Sequence, residues 1–314
     1  MIGDTHKLTV GYVARHIPQA ARLGQDVAVL DIAQDFLLAH LHERGVFDLV
    51  TFKGGTAIRK LFAGAQGRFS TDIDLAVAEA DVDRVALAGM VASECEVTLG
   101  PFAFSPTVSR DRWQIAVTSE YGNPTFTIKL DVGPPCWLAP VRRDFIPIKT
   151  HERYGFVLPA LPCMHVEEIL SEKIARLTRT ATARDASDLV WVAQTSPHSQ
   201  FDRSRVRALA MLKVWIDNNG MNPGWRQALA CLPFDATRWL GHRDQWDDEQ
   251  IGMLASPPPT LVSLEKSLQR LFAWIAQTTE EEARWGSADP KDRREVIAAI
   301  RALHGGALRD VHLY

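Results

Sequence analysis

The chain is poor in several features that mark common protein classes. It has only four cysteines in 314 residues: Cys95, Cys136, Cys163 and Cys231. They lie far apart and form no CxxC pair or Cys/His cluster, which speaks against structural zinc and a disulfide framework. No apolar run reaches the roughly 20 residues of a membrane span, and the N-terminus lacks the order of a secretory signal. A reducing cytoplasm is therefore the expected setting, with no membrane partner. A net charge of −3 gives no global surplus to hold a polyanion. The GxxxxGK[ST] phosphate loop is missing, as are internal repeats and low-complexity tracts.

What remains is ordinary in bulk, 46% hydrophobic and 23% charged, and long enough for two domains. Apolar residues at helical spacing predict a helix over 24–44, ending at Gly45. Val46 to Phe52 reads as a strand, Gly54-Gly55 as a turn, and Thr56 to Phe62 as a helix start. A strand over Asp72–Val77 and a helix to about Ser93 follow. Strands dominate 95–132, with Trp113–Thr118 and Thr125–Val132 the clearest. Prolines 134, 135 and 140 end them. Helices are expected over 166–179, 185–194, 204–217, 261–276 and 290–303. This is an α+β chain with two expected parts, 1–160 and a mainly helical 161–314.

The chemistry concentrates in Lys53-Gly54-Gly55-Thr56 and Arg68-Phe69-Ser70-Thr71-Asp72-Ile73-Asp74-Leu75. In a strand, Asp72 and Asp74 share one face while Ile73, Leu75 and Val77 enter the core. Two adjacent carboxylates repel unless a cation lies between them, and Mg2+ favours hard oxygens together with substrate phosphates. A glycine turn opening a helix offers backbone N–H groups to an anion. Asp131 lies on the polar face of its own strand and could complete a two-metal site if that strand is a neighbour. Taken alone, it reads better as a solvated residue paired with Lys129.

In the helical part, Val166, Ile169, Leu170, Ile174 and Leu177 form an apolar stripe with Lys173 at its edge. An inward lysine needs an acidic or phosphate partner. Asp188 is a candidate, whereas Asp185 reads better as a helix cap. From Lys173 to Lys213 eight basic residues face three acids, a window suited to a polyanion or simply to solvated helix faces. The tail tryptophans, Trp215, Trp225, Trp239, Trp246, Trp274 and Trp285, read as packing residues.

Four blocks together resemble the AbiEii/AbiGii-like and MenT-like nucleotidyltransferase toxins of the DNA polymerase beta-like superfamily. They are FKGGTAIRKLF at 52–62, RFSTDIDLAV at 68–77, IKLDV at 128–132 and VEEILSEKIARLTRTATARDASDLVWV at 166–192. The resemblance implies a polymerase beta-like core, a small mixed sheet flanked by helices, followed by a helical C-terminal region that contributes Lys173 and Asp188 to the active site. It assigns Gly54, Gly55 and Thr56 to the triphosphate loop, with Ser70 also near the nucleotide. Asp72, Asp74 and Asp131 become the metal carboxylates, and Lys173, paired with Asp188, meets the nucleotide phosphates. It further implies an NTP co-substrate, Mg2+ or Mn2+, a tRNA 3′ end as acceptor and a cognate antitoxin. Three other readings stand beside it: transfer to a protein or small-molecule hydroxyl, a non-catalytic NTP-binding regulatory module, and a DxD glycosyltransferase. The last leaves Gly54-Gly55, Asp131 and Lys173 without a role.

Overall fold

The computed structural model describes residues 2–16, 24–109, 112–177, 182–195, 200–217, 253–254, 260–289 and 291–303. Two compact units divide the chain. One comprises Met1–Cys136, Pro140–Cys163 and Gly252–Pro258; the other holds Trp137–Ala139, Met164–Ile251 and Pro259–Tyr314.

The first unit is built on an eight-stranded mixed sheet. Its strands are β1 (Val50–Lys53), β2 (Asp72–Val77), β3 (Val97–Leu99), β4 (Phe102–Ser109), β5 (Arg112–Ser119), β6 (Ile128–Gly133), β7 (Val141–Arg143) and β8 (Leu161–Cys163), in the order β3-β4-β5-β6-β2-β1-β8-β7. β2 runs antiparallel to β1 and parallel to β6. Because side chains alternate across the pleat, Phe52 and Leu75 pair on one face and Ile73 pairs with Leu130 on that face too. Phe52, Ile73 and Leu75 are wholly buried, each contributing about 1.5–3 kcal/mol of burial free energy.

Helix α1 (Val10–His16) precedes α2 (Gly24–Glu43), while α3 (Gly54–Ile58) continues into a π-helical turn at Arg59–Ala63. α2 is buried almost all round, from Val27 to Leu38, as expected of a helix threading a core. Helix α4 (Arg84–Glu94) starts at Asp83, whose carboxylate accepts from the N–H groups of Val85 and Ala86. The 46–52 strand is shorter than its apolar run predicts. Gly45 adopts φ +74° and Val46–Asp48 tightens into a 3-10 turn, leaving only Val50–Lys53 extended. β6 likewise begins at Ile128, not Thr125. β7 and β8, three residues each in a proline-rich stretch, were not expected.

In the second unit, α5 (Val166–Leu177), α6 (Ala183–Gln194) and α7 (Arg203–Ile216) pack with helices Leu261–Phe272, Glu280–Gly286 and Arg294–Leu303 around Leu170, Leu189, Met211, Leu268 and Phe272. Trp215, Trp274 and Trp285 are buried there as packing residues. Trp225, Trp239 and Trp246 lie outside the described residues. Among the described residues, no helix is long and apolar enough to cross a membrane.

Candidate active site

Strand register assembles the carboxylates. Asp74 of β2 is paired with Asp131 of β6, and Asp72 with Lys129. On the other side of β2, Lys53 is the partner of Asp74. Paired residues share a face, so Lys53, Asp74 and Asp131 form one row across three strands. Asp72 and Lys129 form the next row on that face. Asp131 and Lys129 are exposed while Asp72 and Asp74 are half-buried. The parallel β2–β6 pairing is the step that spacing within one strand could not supply.

The two glycines serve different needs. Gly54 has φ +80°, and a Cβ there would collide with the Asp74 carboxylate. Gly55 needs no left-handed backbone, but a Cβ on it would strike the Arg68 guanidinium and come within 3.3 Å of Ser70 Oγ. The turn is therefore glycine-rich because Asp74 and Arg68 pack against it. Thr56 is fully buried and its hydroxyl donates to the Asp72 carbonyl. That proton holds the turn against β2. Ser70 is buried and its carbonyl accepts from Gln34 Nε2 at 3.1 Å. Arg68 Nη1 donates to the Phe69 carbonyl at 2.9 Å, and the Phe69 N–H bonds to the Met253 carbonyl at 2.9 Å.

Behind the turn lies a buried charge network that sequence reasoning missed. Lys60 Nζ stands 2.7 Å from Asp31 Oδ1 and 2.8 Å from Asp35 Oδ1. Arg59 Nη2 and His16 Nε2 meet Asp31 Oδ2 at 3.0 and 2.6 Å, and Tyr154 donates to Asp35 Oδ2 at 2.6 Å. Burial would raise the Asp31 carboxyl, but Arg59, then Lys60 and His16, hold it well below the usual range. Asp35 is lowered likewise, burial being outweighed by Lys60 and His151. The visible signal was two acids four residues apart inside an apolar helix. An unpaired buried carboxylate is costly, so such a pair demands basic partners.

Lys173 is buried on α5, with Nζ 2.9 Å from Asp185 Oδ1 and 2.8 Å from Asp188 Oδ2. The Lys173–Asp188 pairing is the expected one. Asp185 is not the cap: Thr182 caps α6 by accepting from the Asp185 N–H at 3.1 Å. Three residues into the helix, Asp185 instead receives Lys173, Arg176 Nε at 3.2 Å and the Thr182 hydroxyl at 2.7 Å. Burial works to raise its carboxyl, and Lys173 and Arg176 drive it far below the ordinary value.

Internal acids engage much of the basic 173–213 window. Arg205 pairs with Glu167 at 3.1 Å, Arg207 with buried Glu282 at 2.7 Å and Lys213 with Glu168 at 3.0 Å. Arg179 lies outside the described residues. Fewer of these cations face solvent than either reading of the sequence assumed.

Among the described residues, no three His, Cys, Asp or Glu side chains gather closely enough to enclose a metal ion alone. Mg2+ needs no such cage, since one or two carboxylates with substrate phosphates and waters complete its shell. Hard oxygens on one half-exposed face, with Gly54 leaving room for the Asp74 carboxylate, fit that ion type. Asp72, Asp74 and Asp131 are the residues that would hold it.

A comparison with functionally curated proteins returned no match. The profile of a family described as "Nucleotidyl transferase AbiEii toxin, Type IV TA system" matches residues 35–278. Among solved structures, MenT4, a nucleotidyltransferase toxin from Mycobacterium tuberculosis H37Rv, is similar at TM-score 0.81 and 32% identity, over 95% of this chain and 99% of that one. Two Helicobacter pylori structures, JHP933 and a candidate nucleotidyltransferase, each give a TM-score of 0.45 at 15% identity. They cover 82% and 80% of this chain and 95% of their own, likenesses too loose to bear on the chemistry. The profile match and the likeness to MenT4 agree with the α+β core, and the chain belongs to the AbiEii family of nucleotidyltransferase toxins of type IV toxin–antitoxin systems.

Proposed function

We propose that this toxin transfers a nucleoside monophosphate from an NTP to the 3′-terminal hydroxyl of tRNA, with Mg2+ as the metal. The observation that carries the reading is the direct pairing of Asp74 with Asp131, beside Asp72 and the Gly54-Gly55 turn. In the reaction the acceptor oxygen attacks the α-phosphorus and the bond to the β-phosphate oxygen breaks. Pyrophosphate leaves, and the hydroxyl proton passes to solvent. A bound divalent ion supplies Lewis-acid stabilisation of the phosphates and lowers the pKa of the attacking hydroxyl.

The protein's part is positioning and charge. Asp72 and Asp74 fix the phosphate side and Asp131 the acceptor side. The N–H groups of the Gly54–Thr56 turn, with Arg68 and Ser70 packed against it, face the triphosphate. Lys173 is the lysine that the family resemblance brings to the nucleotide phosphates, with Asp188 its partner. Exposed Lys129, beside Asp72, supports a polyanionic acceptor. The family description implies a cognate antitoxin.

The test is incubation of purified protein with total bacterial tRNA, Mg2+ and each α-labelled NTP, beside an Asp72→Ala/Asp74→Ala control. Label on tRNA with the wild type alone supports the reading and names the base. Label on a protein band instead overturns the acceptor assignment. NTP binding without any transfer overturns catalysis.

A further inference from the structure

Lys53 has no role in the function described so far, yet it stands in the carboxylate row. It is the register partner of Asp74, which is in turn the partner of Asp131. Its side chain does not turn toward the glycine loop. Its Nζ lies 3.5 Å from where a Cβ on Gly133 would be, with Cε at 3.7 Å. Gly133 follows Asp131 by two residues on the same face of β6, so the lysine crosses β2 beside Asp74 and ends next to the Asp131 strand. Gly133, lacking a side chain, leaves the space it uses.

We propose that Lys53 is the resident counter-charge of the metal site, a positioning residue that makes bare divalent ions bind weakly. The inference rests on the proposed metal role of Asp72, Asp74 and Asp131. Three carboxylates on one strand-paired face repel one another, and an ammonium on that face, at its Gly133 end, offsets part of that repulsion before any metal arrives. A divalent ion entering alone meets this cation and is opposed by it. An ion arriving with a nucleotide brings the negative charge of the triphosphate, which offsets the opposition. The site therefore favours the metal–nucleotide complex over the free ion.

The experiment measures Mn2+ binding without nucleotide, by the loss of the free-ion electron paramagnetic resonance signal. The proteins are wild type, Lys53→Met, Lys53→Arg and Asp72→Ala/Asp74→Ala. Removing a unit charge from this face is expected to tighten Mn2+ binding about tenfold in Lys53→Met. Lys53→Arg should stay near wild type, and the KM for NTP should rise several-fold in Lys53→Met. A purely structural lysine would not make metal bind more tightly. A second measurement needs no variant: Mn2+ should displace the ammonium and speed acetylation of Lys53 by acetic anhydride, read by mass spectrometry. Unchanged or weaker Mn2+ affinity in folded Lys53→Met, or an acetylation rate indifferent to Mn2+, overturns the inference. If the wild type and the double aspartate variant bind Mn2+ equally, the metal reading itself has failed and the inference falls with it.

Discussion

Asp74 and Asp131 stand side by side on adjacent parallel strands, although 56 positions of chain lie between them. Asp131 is exposed, so the proposed chemistry and the stability of the fold can be separated there. Asp131→Asn should cut turnover by about 10²–10³, the usual loss when one preorganised electrostatic group is removed. Its unfolding free energy should move by no more than about 0.5 kcal/mol. Labelled-nucleotide transfer alongside a urea titration reads both quantities, and retained turnover would remove Asp131 from the site.

Gly54 makes the opposite case, since one methyl group would act on fold and chemistry together. A left-handed φ costs any other residue about 1 kcal/mol or more, and the added Cβ must also displace the Asp74 carboxylate. Gly54→Ala is expected to lose about 1–3 kcal/mol of stability and to be as inactive as Asp74→Asn. A thermal melt and a transfer assay decide it; an active, fully stable Gly54→Ala protein would contradict the packing described.

Lys60 joins two buried carboxylates, and its removal leaves both short of a cation. Lys60→Met should destabilise by about 3–5 kcal/mol, the range for breaking a buried ion pair on one side only. Adding Asp35→Asn should recover part of that loss, because one buried charge then disappears. Equilibrium unfolding of the single and double variants measures the recovery, and strict additivity would mean that the three groups do not act as a network.

Asp31, Asp35 and Asp185 set the acid limit of the fold. Their folded-state values lie below the unfolded one of about 3.8. The linked stability is thus complete above the unfolded value and is lost as pH falls below about 4 toward the lowered values. Guanidinium titrations at pH 7, 5 and 3 should give similar stability at the first two and a marked drop at the third. Asp185→Asn should flatten part of that drop; an unaltered acid slope would show that Asp185 contributes nothing to it.

Periodicity made α2, α5, α6 and α7 legible, and alternation made β2 and the polar face of β6 legible. A short apolar run does not distinguish an extended strand from a buried turn, which is why Val46–Asp48 was misread. β7 and β8 pair over three residues, too few for a pattern to show. Asp185 carried the composition of a cap, but Thr182 precedes it and takes the position. In the carboxylate row, the polar face of each strand was readable and register was not: nothing inside Ile128–Val132 says which strand lies beside it. The Asp31–Lys60–Asp35 network depends on partners remote in sequence, so only the need for partners was visible.

The hydrogen bond from Phe69 to Met253 has a consequence for the order in which the protein is made. Met253 and Leu254 are buried with the first unit, although the intervening chain belongs largely to the second. A nascent chain that has already translated Asp72, Asp74 and Asp131 still lacks this clasp on the segment leading into the aspartate pair. Completion of the first unit thus waits on residues translated long after the aspartate pair, and premature termination upstream of Met253 yields a first unit without that clasp.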